Sequence, residues 1–226
     1  MNIKLILTGL YISFSLALNA QFNIKSVSIS QDKMNILYVG VDNPLSISVI
    51  GINTNDIEVS VSGVEGAKIS GENAKYIVRA TQQTEKNQFC YVNVKNYKTG
   101  QNYGSFPFRV KRIPNPKANL NGNTDATLTA SELKSQTAVE LNFEDFDYDV
   151  KCKILEYTVW FTEPGKAAIS FVNSGENFNA KTKELIGKAV SGAQYRFSNI
   201  KCNCPGDTTP RTVNSIFIEI ITRSNK

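Results

Sequence analysis

Histidine is absent from the 226 residues of the chain. That removes the commonest general base and the commonest metal ligand at neutral pH. Serine or cysteine hydrolysis through a histidine partner is excluded, and so is His-ligated zinc. Chemistry run by two carboxylates, such as glycoside hydrolysis, survives that test. Gly-rich phosphate loops, a nucleophile elbow and kinase motifs are also missing, so no cofactor is expected. Beyond the N-terminal stretch, no segment approaches the ~18 consecutive apolar residues that a membrane helix needs. There is no basic block either. Lys and Arg number 25 against 20 Asp and Glu, scattered and mixed in sign, which argues for a solvated surface and against nucleic acid.

The N-terminus differs from the rest of the chain. Lys4 is the only charge in residues 1–20, and residues 5–18 are mostly apolar. Ala20 supplies a small residue before Gln21, with Leu18 at the third position back from the expected cut. A short basic start and an apolar run too brief to span a bilayer comfortably mark a secretory signal peptide. An uncleaved anchor is the rival reading. No Cys follows the apolar run, so no lipid anchor is expected. The mature chain, residues 21–226, would be exported to the periplasm or cell surface and would have no membrane span. It would carry 24 basic against 20 acidic residues.

Period-two alternation dominates residues 21–113. Ile24, Val27 and Ile29 begin it, and residues 34–41 follow. Leu45, Ile47 and Val49 alternate with serines; Ile57, Val59 and Val61, then Tyr76 and Val78, keep the same period. Phe89, Tyr91 and Val94, and finally Phe106, Phe108 and Val110, complete the series. Such alternation puts one set of side chains on a core face and the other in water. Turn signals separate the runs: Asp42-Asn43-Pro44, Gly51 with residues 53–56, Gly63 and Gly66, Gly71-Glu72-Asn73 and Lys98-Thr99-Gly100. Short strands at this spacing predict an immunoglobulin-like sandwich. Ile113-Pro114-Asn115-Pro116 then reads as an extended, hydrogen-bond-poor connector.

Residues 114–226 read as a second β-rich domain with short helices. Thr129 and Glu132 have the spacing of a capping box that opens a helix through about Gln136. Strands are predicted over residues 138–143, 146–161, 168–172, 195–200 and 213–221, with a helix over 182–190 despite Gly187. The fold class is therefore mainly β, two tandem immunoglobulin-like or β-sandwich domains.

Few residues could carry chemistry. Asp145, Asp147 and Asp149 have the opening spacing of a calcium loop, and Glu156 falls at its twelfth position. Val150, however, stands where the sharp turn of such a loop needs Gly. Phe146, Tyr148 and Val150 alternate with the aspartates, so a half-buried strand with a wet acidic side is the favoured reading. A glycosidase carboxylate pair would need a sugar platform that the sequence does not place. The four cysteines are Cys90, Cys152, Cys202 and Cys204. In an oxidising compartment one bridge is expected, from Cys152 to Cys202 or to Cys204, with Cys90 a small buried hydrophobe. A metal at Cys202 and Cys204 is disfavoured, because one residue separates them and no second pair exists. The aromatics Tyr38, Phe106, Phe108, Trp160 and Phe161 read as core packing.

The run Met34-Asn35-Ile36-Leu37-Tyr38-Val39-Gly40-Val41-Asp42-Asn43-Pro44, continuing through the serine-alternating strand to Val49, resembles the opening of the C-terminal periplasmic region of the GldM/PorM family. Phe108-Arg109-Val110-Lys111-Arg112-Ile113-Pro114 is similar to that family's connector between its last two domains. Phe146-Asp147-Tyr148-Asp149 and Phe197-Ser198-Asn199-Ile200-Lys201 resemble two further segments in matching order, over residues 33–221. The resemblance implies two β-rich periplasmic domains of the type IX secretion and gliding machinery. It also implies pairing as a homodimer and engagement of a secretion ring made of a lipoprotein and a soluble partner. Family members carry a transmembrane helix and further periplasmic domains, where this chain is expected to carry a signal peptide. Cys202 and Cys204 lie outside the family pattern, and no functional residue matches one by one.

The leading expectation is a non-enzymatic, exported protein-binding module, an accessory or paralogue of that machinery with envelope proteins as partners. The alternative is a stand-alone immunoglobulin-like adhesion or glycan-binding module, and a carboxylate hydrolase is the third.

Overall fold

The computed structural model describes residues 27–30 and 35–222, so the expected signal peptide over residues 1–20 lies outside the described residues. The first domain holds β1 (Val27–Ser30), β2 (Ile36–Tyr38), β3 (Asn43–Val49) and β4 (Ile57–Ser62). It continues with β5 (Lys68–Glu72), β6 (Lys75–Arg79), β7 (Cys90–Asn96) and β8 (Asn102–Lys111). They form two four-stranded sheets, ordered β1-β3-β6-β5 and β2-β8-β7-β4. Only β2 against β8 is parallel in these sheets. Alternation works as read: Leu45, Ile47 and Val49 are buried, while Ser46 and Ser48 are not. They meet Leu37, Val78, Val92, Val94, Phe108 and Val110 in one core between the sheets. Fully burying each such aliphatic side chain stabilises by about 1.5–3 kcal/mol relative to leaving it exposed.

One turn falls later than expected. The sequence places it at Gly71, Glu72 and Asn73, but β5 runs through Glu72, which pairs with Lys75. The turn is Asn73-Ala74, with φ of 52° and 67°. A two-residue hairpin of this kind needs positive φ at both central positions, and Asn supplies the first readily.

The second domain runs β9 (Lys117–Asn119), β10 (Asp125–Thr129), α1 (Ala130–Lys134), β11 (Glu140–Asn142) and β12 (Lys153–Thr162). Next come β13 (Ile169–Ser174), α2 (Ala180–Gly187), β14 (Gln194–Asn203), β15 (Arg211–Thr212) and β16 (Ile216–Ile221). Its main sheet is ordered β10-β16-β14-β12-β13, with β15 beside β14, while β9 and β11 pair separately. Tyr157, Val159, Phe161, Tyr195, Phe197, Ile216 and Ile218 form its inner face. Leu133 of α1 and Leu185 and Ile186 of α2 share that core.

The capping box is present: Thr129 Oγ1 accepts from Glu132 N at 3.2 Å, and Glu132 Oε2 accepts from Thr129 N at 2.7 Å. The second helix begins at Ala180 rather than 182, because Asn179 caps it by accepting from Thr182 N at 2.8 Å. Gly187 is its last residue, where the entropy of a glycine costs less than in mid-helix. The long strand expected from Phe146 is corrected. Residues 143–152 belong to no strand, and β12 starts at Lys153. Strands β5, β9, β10 and β15 are additions that the alternation did not announce, since all four are short: five residues in β5 and β10, three in β9 and two in β15. Among the described residues, no helix is long and apolar enough to cross a membrane.

Candidate functional site

Tyr38, Gly40, Phe146 and Tyr148, singled out by motif, converge on the seam between the two domains. Asn43 is fully buried at the head of β3, and its side-chain amide makes four hydrogen bonds within the first domain. Its Oδ1 accepts from Tyr38 N at 2.7 Å. Its Nδ2 donates to Tyr38 O (3.0 Å), Val41 O (3.1 Å) and Val78 O (3.0 Å). That one amide folds residues 38–43 into a bend and pins it to β6. Pro44 follows on the exposed side, where its missing N–H is harmless. Asp42 pairs with Arg79 on the surface, a contact that salt and solvent leave weak. Asn35, at φ 51°, gives its carbonyl to Arg109 N at 3.0 Å and so sets β2 on β8.

The bend presents Tyr38 and Gly40 to the second domain. Tyr38 packs edge-on against Phe146 (centroids 5.0 Å, 88°) and Tyr148 (5.2 Å, 77°), which stack on each other at 5.2 Å. Phe143 extends the cluster against Phe146 at 5.1 Å. This explains the missing strand. Phe146, Tyr148 and Val150 do alternate with exposed Asp145, Asp147 and Asp149, but Phe146 and Tyr148 face Tyr38 of the first domain instead of a sheet core. Asp145 sits at φ 51°, which breaks strand geometry. Among the described residues, no group of three or more His, Cys, Asp or Glu side chains is arranged to hold a metal ion.

Gly40 touches the turn that follows β14. A Cβ on Gly40, which has φ +78°, would lie 2.6 Å from Gly206 Cα and Pro205 C. A Cβ on Gly206 would lie 2.7 Å from Val39 Cγ1. Two backbones from different domains therefore meet without side chains between them.

A charged clamp closes the other side. The Asp207 carboxylate is completely enclosed and accepts from Arg112 Nη2 at 2.7 Å, Arg211 Nε and Nη2 at 2.7 Å, and Cys204 N at 2.9 Å. Arg211 Nη1 also donates to Ile113 O (2.6 Å), Pro114 O (3.1 Å) and Asn115 Oδ1 (3.2 Å). The connector expected to be poor in hydrogen bonds is thus gripped through its carbonyls. No sequence signal announces this, because Arg211 and Ile113 are 98 positions apart.

Burial raises the Asp207 carboxyl, but the hydrogen bonds from Arg211, Arg112 and Cys204 N–H outweigh it and hold the group down at about 2. A carboxylate whose folded value lies below its unfolded one stabilises above the unfolded value and loses that contribution as pH falls. We expect about 2 kcal/mol of stability to disappear between pH 4 and pH 2. Urea unfolding at pH 5 and pH 2.5 measures it, and Asp207→Asn should flatten the dependence. A variant that keeps the full pH dependence would show that the clamp is not its source.

The disulfide joins Cys152 to Cys204, 52 residues apart. Cys152 ends the aromatic segment and Cys204 begins the turn at Gly206, so one covalent bond ties together both parts of the second domain that hold the first. Cys90 and Cys202 are buried free thiols. Burial pushes the Cys90 thiol up to about 11 and raises Cys202 as well, so both stay protonated and unreactive at neutral pH. Trp160 departs from its expected core position. It is 41% exposed on the outer face of the main sheet.

Residues 26–111 match the family described as the GldM third domain, and residues 114–222 match that described as the GldM C-terminal domain. No curated protein matches the chain. Among solved structures, the chain is similar to the three N-terminal domains of the highly immunogenic outer capsid protein (Hoc) of bacteriophage RB49. The two are 13% identical, the match covers 87% of this chain and 70% of that one, and the TM-score is 0.29.

Proposed function

Since the chain belongs to the GldM family, as a third and a C-terminal domain in tandem, we propose that it is an exported, non-enzymatic protein-binding module of the type IX secretion and gliding machinery. Its partners are envelope proteins, with the secretion ring first among them, and its role is that of an accessory or paralogue of the motor-linked family members. The observation that carries this reading is the use made of the motif residues. Tyr38, Gly40, Phe146 and Tyr148 are engaged in joining the two domains, as is the buried Asp207, and Asn43 holds the bend that presents Tyr38 and Gly40. Polar groups saturated by structural partners hold shape; they are not held ready for substrate. A joint locked by aromatic packing, a charged clamp and a disulfide keeps surfaces on both domains at one spacing, which suits a rigid adaptor between larger assemblies. Rigid presentation also lowers the entropic cost of binding.

The test is co-purification. The tagged full-length chain, produced in its own cells, should retain the ring lipoprotein and its soluble partner, identified by mass spectrometry. Recovery of neither, together with binding to surface glycans, would overturn the proposal in favour of an adhesion module.

A further inference from the structure

The outer face of the second domain's main sheet carries side chains that the seam does not use. Register places Trp160 of β12 opposite Arg196 of β14, and Arg196 opposite Phe217 of β16. Neighbouring strands lie about 4.8 Å apart, so one cation stands between two aromatic side chains. Trp160 is 41% and Phe217 39% exposed, and Arg196 is exposed as well. Together with Thr162, Ala168 and Gln194 they line a cleft of about 210 Å³. The indole is not loose. Its Nε1 donates to the buried Ser198 Oγ at 3.1 Å.

Arg196 forms no ion pair among the described residues, whereas Lys201 on the same strand is neutralised by Glu156 at 2.8 Å. The nearest acidic positions by register are Glu219, opposite Gln194, and Asp125, opposite Phe217; neither pairs with it. Arg and Trp are among the residue types enriched at protein-binding hot spots. The planar fork of the Arg guanidinium fits a carboxylate through two hydrogen bonds.

We propose that this face docks an extended peptide segment of an envelope protein, one carboxylate meeting Arg196 and apolar side chains covering Trp160 and Phe217. Charge sets the first requirement, because the cleft offers a cation without a counter-ion. Breadth favours a peptide over an acidic sugar. Val172 (59% exposed) and Ile221 (42%) extend the same face beyond the aromatics, and branched aliphatic side chains give a peptide a surface that a sugar ring does not need. The inference deepens the protein-binding reading above and rests on it.

The experiment uses the full chain and an array of apolar decapeptides with a central Glu, Gln or Lys. Glu peptides should bind about tenfold more tightly than their Gln counterparts, and Arg196→Ala should abolish that difference. Trp160→Ala and Phe217→Ala should weaken all the peptides, with thermal melts confirming that each variant is folded. Equal binding of Glu and Gln peptides, no peptide binding, or binding confined to oligouronic acids would each overturn the proposal. If the peptides bind as expected but ring proteins are not recovered from cells, the docking surface stands and the secretion assignment fails.

Discussion

Reduction of the Cys152–Cys204 bridge should cost about 4 kcal/mol, because it releases a loop of 52 residues in the unfolded chain. For a body of this size that is a fall of roughly 10 °C in melting temperature. The native-state consequence is more specific than the number. The bridge joins the segment bearing Phe146 and Tyr148 to the turn bearing Gly206 and Asp207, and both contact the first domain. Cutting it should therefore loosen the seam before it unfolds either core. Calorimetry with and without reductant measures the stability loss, and limited proteolysis near residues 113–116 reports the seam. The same outcome is expected of Cys204→Ala, while Cys202→Ala should leave the bridge intact. Identical melts for oxidised and reduced chain would sink the argument.

Gly40→Ala should separate the two domains thermodynamically. The residue sits at φ +78°, a conformation that costs an L side chain about 1–2 kcal/mol. The added methyl would also be placed against the backbone of Pro205 and Gly206. Backbone cannot rotate away as a flexible side chain can, so the clash is relieved only by moving the domains apart. Parent protein should unfold in one calorimetric transition, and Gly40→Ala in two, with the second domain's own melt little changed. A single transition at the parental temperature would show that the seam does not couple the domains.

Much of this architecture was legible in the residues. Alternation identified most strands of the first domain because each has one wet and one dry face, as the burial of Leu45, Ile47 and Val49 against Ser46 and Ser48 illustrates. Thr129 and Glu132 announced the first helix through a capping interaction that spans only three positions. The same logic misled at Phe146 and Tyr148. Their period was right, but period alone does not say which surface covers the apolar side, and here it is Tyr38 from another domain. Trp160 shows the opposite error, an aromatic on a strand taken for core that faces solvent.

The missing histidines restricted the chemistry from the sequence alone. Ordered motifs named a family. The absence of a Gly after Asp149 turned the calcium reading aside. These are local properties, set by a residue and its near neighbours.

What tertiary structure alone decided is why the motif residues are there. Tyr38 and Phe146, Gly40 and Gly206, Ile113 and Arg211 are far apart in the chain and meet only when both domains have folded. The energy that selects them comes from excluded water, backbone contact and a buried carboxylate. None of these leaves a periodic trace in a linear sequence.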